Sequence, residues 1–154
     1  MINCKIPELK DRVVQERSLE RILWIKEQVA KGEKTEAELI KEWPEMKNGD
    51  DLYKHYMSKD SGKDMFMELD KDVRRADLGN EDFIIPCTFG GKNALFNVLN
   101  AYATYDTEIE YSQGMNIVGS WILKFMRVYD SKSKSVVYDE CNSFFVMVHI
   151  MEEL

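Results

Sequence analysis

The sequence lacks any long hydrophobic run. Its longest mostly apolar stretch covers residues 144–151 and contains His149, whereas a membrane-spanning helix needs about 18 to 20 consecutive apolar residues. The N-terminus also lacks the apolar segment of a secretory signal peptide. Together with a mean hydropathy of −0.43, these absences predict a cytoplasmic protein without a transmembrane segment.

Cysteine and histidine are scarce. The three cysteines (Cys4, Cys87 and Cys141) are odd in number and far apart, which is typical of a reducing compartment and gives no metal-binding spacing. His55 and His149 have no neighbouring cysteine or acidic pattern that would complete a site. A metal centre or a hydrolytic active site is therefore not expected.

The chain is short of positive charge. It has 21 Lys and Arg residues against 28 Asp and Glu residues, which gives a net charge of −7. A negatively charged surface repels phosphate backbones, and the basic residues are scattered among acidic ones rather than clustered. Nucleic acid is therefore not an expected partner.

A strand pattern is also missing. Apolar residues recur three and four positions apart throughout the chain, and β-branched alternation is absent, so the sequence predicts an all-α, multi-helix fold. At 154 residues the chain fits one domain with a real core. Helices are expected from Glu8 to Gly32, from a capping box at Thr35 and Glu38 to Trp43, over 63–76, around 95–102, after Ser112 and over 137–150.

The remaining segments are expected to be irregular. Residues 45–62 are predicted to be loop with at most one helical turn, residues 83–86 an extended apolar anchor, and residues 130–135 a flexible polar loop. Gly90-Gly91-Lys92 does not complete a phosphate-binding loop, because Pro86 replaces the first glycine and Asn93 follows the lysine. We therefore predict that residues 90–92 form a turn before a helix.

The helix predicted over residues 63–76 carries a candidate charged pair. Helical geometry puts Asp72 at the edge of the apolar stripe, half-buried, and points Arg75 toward solvent. Their i, i+3 spacing allows the carboxylate to hold the guanidinium. By itself such a pair is ordinarily a solvated ion pair that contributes at most a few tenths of a kcal/mol.

A second candidate site begins at Tyr111, where a carboxylate-rich loop meets an apolar helix. If Ser112 is the N-cap, Gln113 lies in the first turn, near unpaired backbone N–H groups and the positive end of the helix dipole. An amide there suits contact with water and phosphate oxygens. The ordinary alternative is that Gln113 is simply a second capping group.

These two stretches together resemble a known family. Residues 69–75 (LDKDVRR) are similar to the I-x-x-D-x-x-R motif of the TBC domain, the GTPase-activating domain for Rab proteins, and residues 111–114 (YSQG) to its Y-x-Q-G motif. They occur in the family's order and at about its spacing. The likeness extends beyond the second motif through Met115-Asn116, and it covers residues 63–154 well.

The sequence departs from the family at both ends. Ile6-Pro7 lacks the preceding glycine, Lys10 and Val14 replace the Arg and Trp of the opening motif, and Ala76 stands where Thr is usual. Residues 1–62 are therefore interpreted as a divergent helical region and 63–154 as the motif-bearing region. The last helix is apolar nearly all round, so we expect it to lack cover. Domains of the family continue with a further group of helices that this sequence lacks, so the resemblance implies that the chain is the N-terminal part of the domain.

The resemblance implies roles for individual residues. Arg75 would be an arginine finger and Gln113 a glutamine finger, both acting in trans on a GTP-bound Rab-type GTPase, which would carry the GTP and Mg²⁺. Asp72 would steady the arginine, while Tyr111 and Gly114 would shape the loop that presents Gln113. The chain would then accelerate GTP hydrolysis by its partner and would need no cofactor of its own. It would act in vesicle trafficking and would reach endomembranes through the partner.

A second hypothesis belongs to another class of function. The divergent start and the expected missing end are compatible with a non-catalytic helical module that keeps the fold and binds a GTPase or another protein without promoting hydrolysis. The two hypotheses differ in whether Arg75 and Gln113 change the partner's turnover.

Overall fold

The structure, a computed structural model, describes residues 2–76 and 93–153. These ranges contain seven helices and one two-stranded hairpin, so the predicted all-α class is confirmed with one local exception. None of the helices in these ranges combines the length and the apolarity that crossing a membrane requires. The chain divides into two compact units, Met1–Leu52 and Tyr53–Leu154.

The first unit begins with a long helix, α1 (Ile2–Lys31). As predicted, it ends at Gly32, where a φ of +73° favours glycine and the N–H donates to the Val29 carbonyl at 3.0 Å. It begins earlier than the expected Glu8, since Pro7 lies inside the helix. A proline removes its own backbone donor and crowds the carbonyl four residues earlier, but α1 continues through Pro7.

Helix α2 (Glu36–Glu42) begins at the predicted cap. The Thr35 side chain accepts from the Glu38 N–H at 3.2 Å. Beyond its end, the Trp43 ring lies 5.5 Å from the Trp24 ring, centroid to centroid. Arg21 Nε donates to the Trp43 carbonyl at 2.7 Å. A ring contact and a charge-assisted hydrogen bond therefore tie the end of α2 to α1.

The prediction of a loop over residues 45–62 is wrong, because helix α3 (Gly49–Ser58) forms there. The Asn48 side chain accepts from the Asp51 N–H at 2.9 Å, and its carbonyl accepts from the Leu52 N–H at 3.1 Å. The polar cluster at residues 48–51 is thus a helix N-terminus with an Asn cap and an acidic first turn.

The second unit is built around a buried helix, α5 (Ala94–Tyr105). It contacts helices α4 (Lys63–Ala76), α6 (Met115–Met126) and α7 (Glu140–Glu153), and all its residues from 94 to 103 are buried. On α6, Gly119 permits a close approach: a Cβ there would lie 3.1 Å from a Leu95 methyl and 3.2 Å from a Leu99 methyl. The predicted anchor at 83–86 and turn at 90–92 lie outside the described residues.

A β-hairpin stands where a polar loop was expected. Strands β1 (Arg127–Asp130) and β2 (Ser135–Tyr138) pair antiparallel, with Asp130 opposite Ser135. The Asp130 side chain accepts from the Lys132 N–H at 3.0 Å and the Ser133 hydroxyl at 2.9 Å. The prediction of no strand was wrong here because valine and tyrosine flank the polar turn, and such residues favour strands.

Helix α7 is better covered than its sequence suggested. Packing against α5 and α6 buries most of its residues up to Val148, namely Glu140, Cys141 and residues 143–148. The expectation that this helix lacks cover is therefore wrong for that part. The all-round apolar pattern instead reflects a helix enclosed by neighbours from its own unit.

One of these buried residues is acidic. Glu140 is only 1% exposed, and its Oε1 accepts from the Tyr53 hydroxyl at 3.0 Å and from Asn97 Nδ2 at 2.8 Å. A buried carboxyl group requires such donors, because it has lost its water. The three side chains therefore join α3, α5 and α7 through one polar junction.

Replacing Glu140 should show how much this polar junction contributes to the stability of the fold. Glu140→Ala removes the shared acceptor and leaves the Tyr53 hydroxyl and the Asn97 amide each without that bond, so the free energy of unfolding should fall by about 2 to 4 kcal/mol. Glu153→Ala, an exposed change on the same helix, should shift it by less than about 0.5 kcal/mol. Urea unfolding followed by circular dichroism measures both; equal effects would contradict the assignment.

Candidate functional site

The last turn of α4 carries the first candidate motif. The helix has the predicted bounds of Lys63–Ala76, and Arg75 is exposed as expected. Asp72 is only 7% exposed, hence buried rather than half-buried. The predicted pairing of Asp72 with Arg75 is wrong: the Asp72 carboxylate is directed instead to the Tyr111 hydroxyl, because a buried carboxylate needs a donor beside it.

The two adjacent arginines of α4 differ in their ion pairs. Arg74 forms one with Asp70, one turn earlier, at 3.2 Å. Arg75 has no acidic partner within residues 2–76 and 93–153. With respect to the described residues, the planar set of donors of this exposed guanidinium is available for an incoming anion.

The Gln113 turn is built differently from the prediction. Helix α6 begins at Met115 with Gly114 as its N-cap, so the expectation that Ser112 caps the helix is wrong. Gly114 has a φ of +104°, a left-handed conformation that favours glycine, while the Ser112 carbonyl accepts from the Met115 N–H at 3.1 Å. Gln113 is exposed in the turn before the helix rather than in its first turn.

The loop leading to this turn is organised by Asp106. Its Oδ1 accepts from the N–H groups of Glu108 and Ile109, both at 3.1 Å, and its backbone carbonyl accepts from the Glu110 N–H at 2.7 Å. Glu110 has a φ of +56°, which sets the direction in which the chain enters the Gln113 turn. The sequence showed the acidic loop, but the role of Asp106 was missed. An aspartate directly after a helix, followed by Thr, was the available signal.

Hydrogen bonds join the two motifs. The Tyr111 hydroxyl donates to Asp72 Oδ2 at 2.6 Å, and Asn116 Nδ2 donates to the Asp72 carbonyl at 3.4 Å. The structure therefore brings Asp72, Tyr111 and Asn116 into direct contact. Arg75 and Gln113 each lie within three residues of this junction along the chain. Sequence reasoning did not assign Asn116 a role.

The electrostatics of the junction keep Tyr111 protonated. Burial raises the pKa of the Tyr111 phenol, and its hydrogen bond to Asp72 and the negative charge of that carboxylate raise it further. The phenol is therefore a donor throughout the neutral range. The Tyr111–Asp72 hydrogen bond is therefore kept at neutral pH, and the exposed Arg75 and Gln113 lie within three residues of it along the chain.

The two sequence motifs that resemble those of the TBC domain are thus hydrogen-bonded to each other within a helical unit. The family model RabGAP-TBC, the Rab-GTPase-TBC domain, matches residues 24–154; the chain belongs to this family. The match begins within α1, beyond the divergent positions Lys10 and Val14. The family implies Rab GTPase activation in general, with small GTPases as partners. No curated protein and no solved structure matches the chain.

Removing the Tyr111 hydroxyl should weaken the junction. Tyr111→Phe leaves the buried Asp72 carboxylate without this donor, and the loss of a hydrogen bond to a charged group costs about 1.5 to 3 kcal/mol. Tyr129→Phe is the control, since Tyr129 is 64% exposed and should change stability by less than about 0.5 kcal/mol. Chemical unfolding at neutral pH compares them, and a neutral Tyr111→Phe would refute the role of the bond.

The same bond gives a pH dependence. Because folding raises the Tyr111 pKa, its stabilisation is complete below the ordinary tyrosine pKa of about 10. It is lost as pH rises through the folded value. The gap in unfolding free energy between wild type and Tyr111→Phe should stay constant from about pH 7 to 9 and narrow above about pH 10. Unfolding curves across this range measure it, and a widening gap would contradict the sign.

Proposed function

We propose that this chain accelerates GTP hydrolysis by a GTP-bound Rab-type small GTPase, with Arg75 and Gln113 entering the partner's active site. One observation carries the proposal: in a member of the Rab-GTPase-TBC family, the exposed arginine and the exposed glutamine flank the hydrogen-bonded junction of Asp72 and Tyr111. Two polar side chains on adjoining segments can reach one triphosphate together.

Arg75 would act on the γ-phosphate. Phosphoryl transfer spreads negative charge over the phosphate oxygens, and a planar, permanently charged guanidinium can contact two of them at once. The exposure of Arg75 and its lack of an acidic partner in the described ranges support this role. An arginine finger contributes about 10³ to 10⁵ in rate.

Gln113 would orient the attacking water. A carboxamide can accept a hydrogen bond from water while donating to a phosphate oxygen, and it does not titrate. The turn before α6 supports this role, because it exposes the side chain beside the N-terminus of a helix, where the dipole favours negatively charged groups.

Asp72, Tyr111 and Gly114 would be supporting residues. The contacts imply that Asp72 acts by accepting from Tyr111 and thereby holding the Gln113 loop against α4. Gly114 would permit the left-handed backbone conformation at the start of α6, and this conformation would direct Gln113 toward solvent.

The nucleotide and its metal would come from the partner. We propose that GTP and Mg²⁺ are bound by the GTPase, that the chain contributes side chains only, and that it acts in the cytoplasm in vesicle trafficking, reaching endomembranes through that partner. The net charge of −7 supports a protein rather than a nucleic-acid partner.

The proposed role of Arg75 can be tested with the adjacent Arg74 as the control. With a panel of GTP-loaded Rab proteins and phosphate release as the readout, the wild type should accelerate hydrolysis by at least one member. Arg75→Ala should lose about 10³-fold or more of that acceleration. Arg74→Ala should retain most of it, because Arg74 is already paired with Asp70. Equal losses in the two variants would refute the assignment.

The glutamine has a matched control in the preceding residue. Gln113→Ala should reduce the rate of hydrolysis in the complex by about 10²-fold or more, as expected when a group that orients the reactants is lost. Ser112→Ala, an exposed change in the same turn, should leave it nearly unchanged. If GTP-dependent binding is found but neither wild type nor variants alter turnover, the non-catalytic binding module is the correct function.

A further inference from the structure

Asn116 makes two hydrogen bonds that meet at the candidate site. It lies in the first turn of α6 and is 9% exposed. Its Oδ1 accepts from the Gly114 N–H at 3.1 Å, and its Nδ2 donates to the Asp72 carbonyl at 3.4 Å. We call this pair of bonds the Asn116 bridge.

Each end of the bridge holds a specific peptide group. The Gly114 N–H belongs to the peptide that directly follows Gln113, so the bond restricts rotation of the chain on the C-terminal side of the glutamine. The Asp72 carbonyl lies in the last turn of α4, one turn before Arg75. One side chain therefore connects the peptide beside Gln113 to the helical turn beside Arg75.

The bridge requires an amide in one orientation. If the amide were flipped, its NH₂ group would face the Gly114 N–H and its oxygen would face the Asp72 carbonyl. Both contacts therefore specify the same orientation of the Asn116 amide. Aspartate has nearly the same shape and keeps the bond to Gly114, but it places an oxygen against the Asp72 carbonyl. A carboxylate there repels the carbonyl where the amide attracted it.

We propose that Asn116 is a positioning residue for the reaction: it fixes the turn that carries Gln113 in register with the α4 turn that carries Arg75. This inference rests on the proposed function. The bridge is partner-independent, so it restrains the glutamine before the GTPase arrives. Pre-positioned groups accelerate a reaction because less ordering remains to be done in the transition state.

The kinetic test compares two buried asparagines. Asn116→Asp should lower kcat about 10- to 100-fold with little change in the KM for the GTP-loaded GTPase, the loss expected for misplacement of about 1 Å. Asn100→Asp is the matched control: Asn100 is 6% exposed and its Nδ2 donates to the carbonyls of Met57 and Lys59, both at 3.0 Å. It should destabilise the chain similarly but leave kcat unchanged below its unfolding temperature.

A double-mutant cycle separates positioning from general damage. In the Gln113→Ala background, Asn116→Asp should cause almost no further loss of kcat, because the group it positions is gone. A merely structural effect would reduce kcat by the same factor in both backgrounds, and that result would overturn the inference while Gln113 kept its role.

A measurement without a partner distinguishes the two failures. In the isolated chain, Asn116→Ala should make hydrogen exchange at the Gly114 amide about tenfold faster than in wild type, while Asn100→Ala should not. Unchanged exchange overturns the bridge even if the wild type activates a GTPase. Faster exchange with no activation of any GTPase supports the bridge and refutes the proposed function.

Discussion

The candidate site depends on a single buried carboxylate. Asp72 lies on the inner edge of α4, where water is excluded, and a carboxylate in that environment is tolerated only if donors replace its lost hydration. The Tyr111 hydroxyl is the donor at 2.6 Å. This requirement fixes where the loop after α5 must return to α4, and so it determines the location of the Gln113 turn.

Packing around α5 gives that contact a rigid frame. Helices α4, α6 and α7 all contact α5, and Gly119 lets α6 approach Leu95 and Leu99 closely. Within the same unit, Glu140 joins α3, α5 and α7 through Tyr53 and Asn97. In both places a buried acid accepts from donors on other segments: Glu140 from residues of α3 and α5, and Asp72 from Tyr111 in the loop before α6.

Local sequence signals anticipated much of the fold. The bounds of α4, the cap at Thr35 and the end of α1 at Gly32 follow from periodicity and capping, which neighbouring residues decide among themselves. The failures have a common cause: α3, the β-hairpin and the start of α6 were each obscured by clusters of polar residues. Such clusters can be a loop, a helix N-terminus or a hairpin turn, and packing decides among these outcomes.

The sequence by itself determined the helical class, the two motifs in order and the outward direction of Arg75, because residue spacing on a helix dictates which face each side chain occupies. Only the tertiary structure decided that Asp72 accepts from Tyr111 rather than pairing with Arg75, that Gly114 rather than Ser112 caps α6, and that Asn116 links the motifs. The Tyr111 and Asn116 contacts join residues 39 and 44 positions apart, and no local pattern specifies which donor a buried acceptor will meet. The choice of Gly114 over Ser112 is local, but it follows from the backbone conformation of the turn rather than from the capping preference of serine.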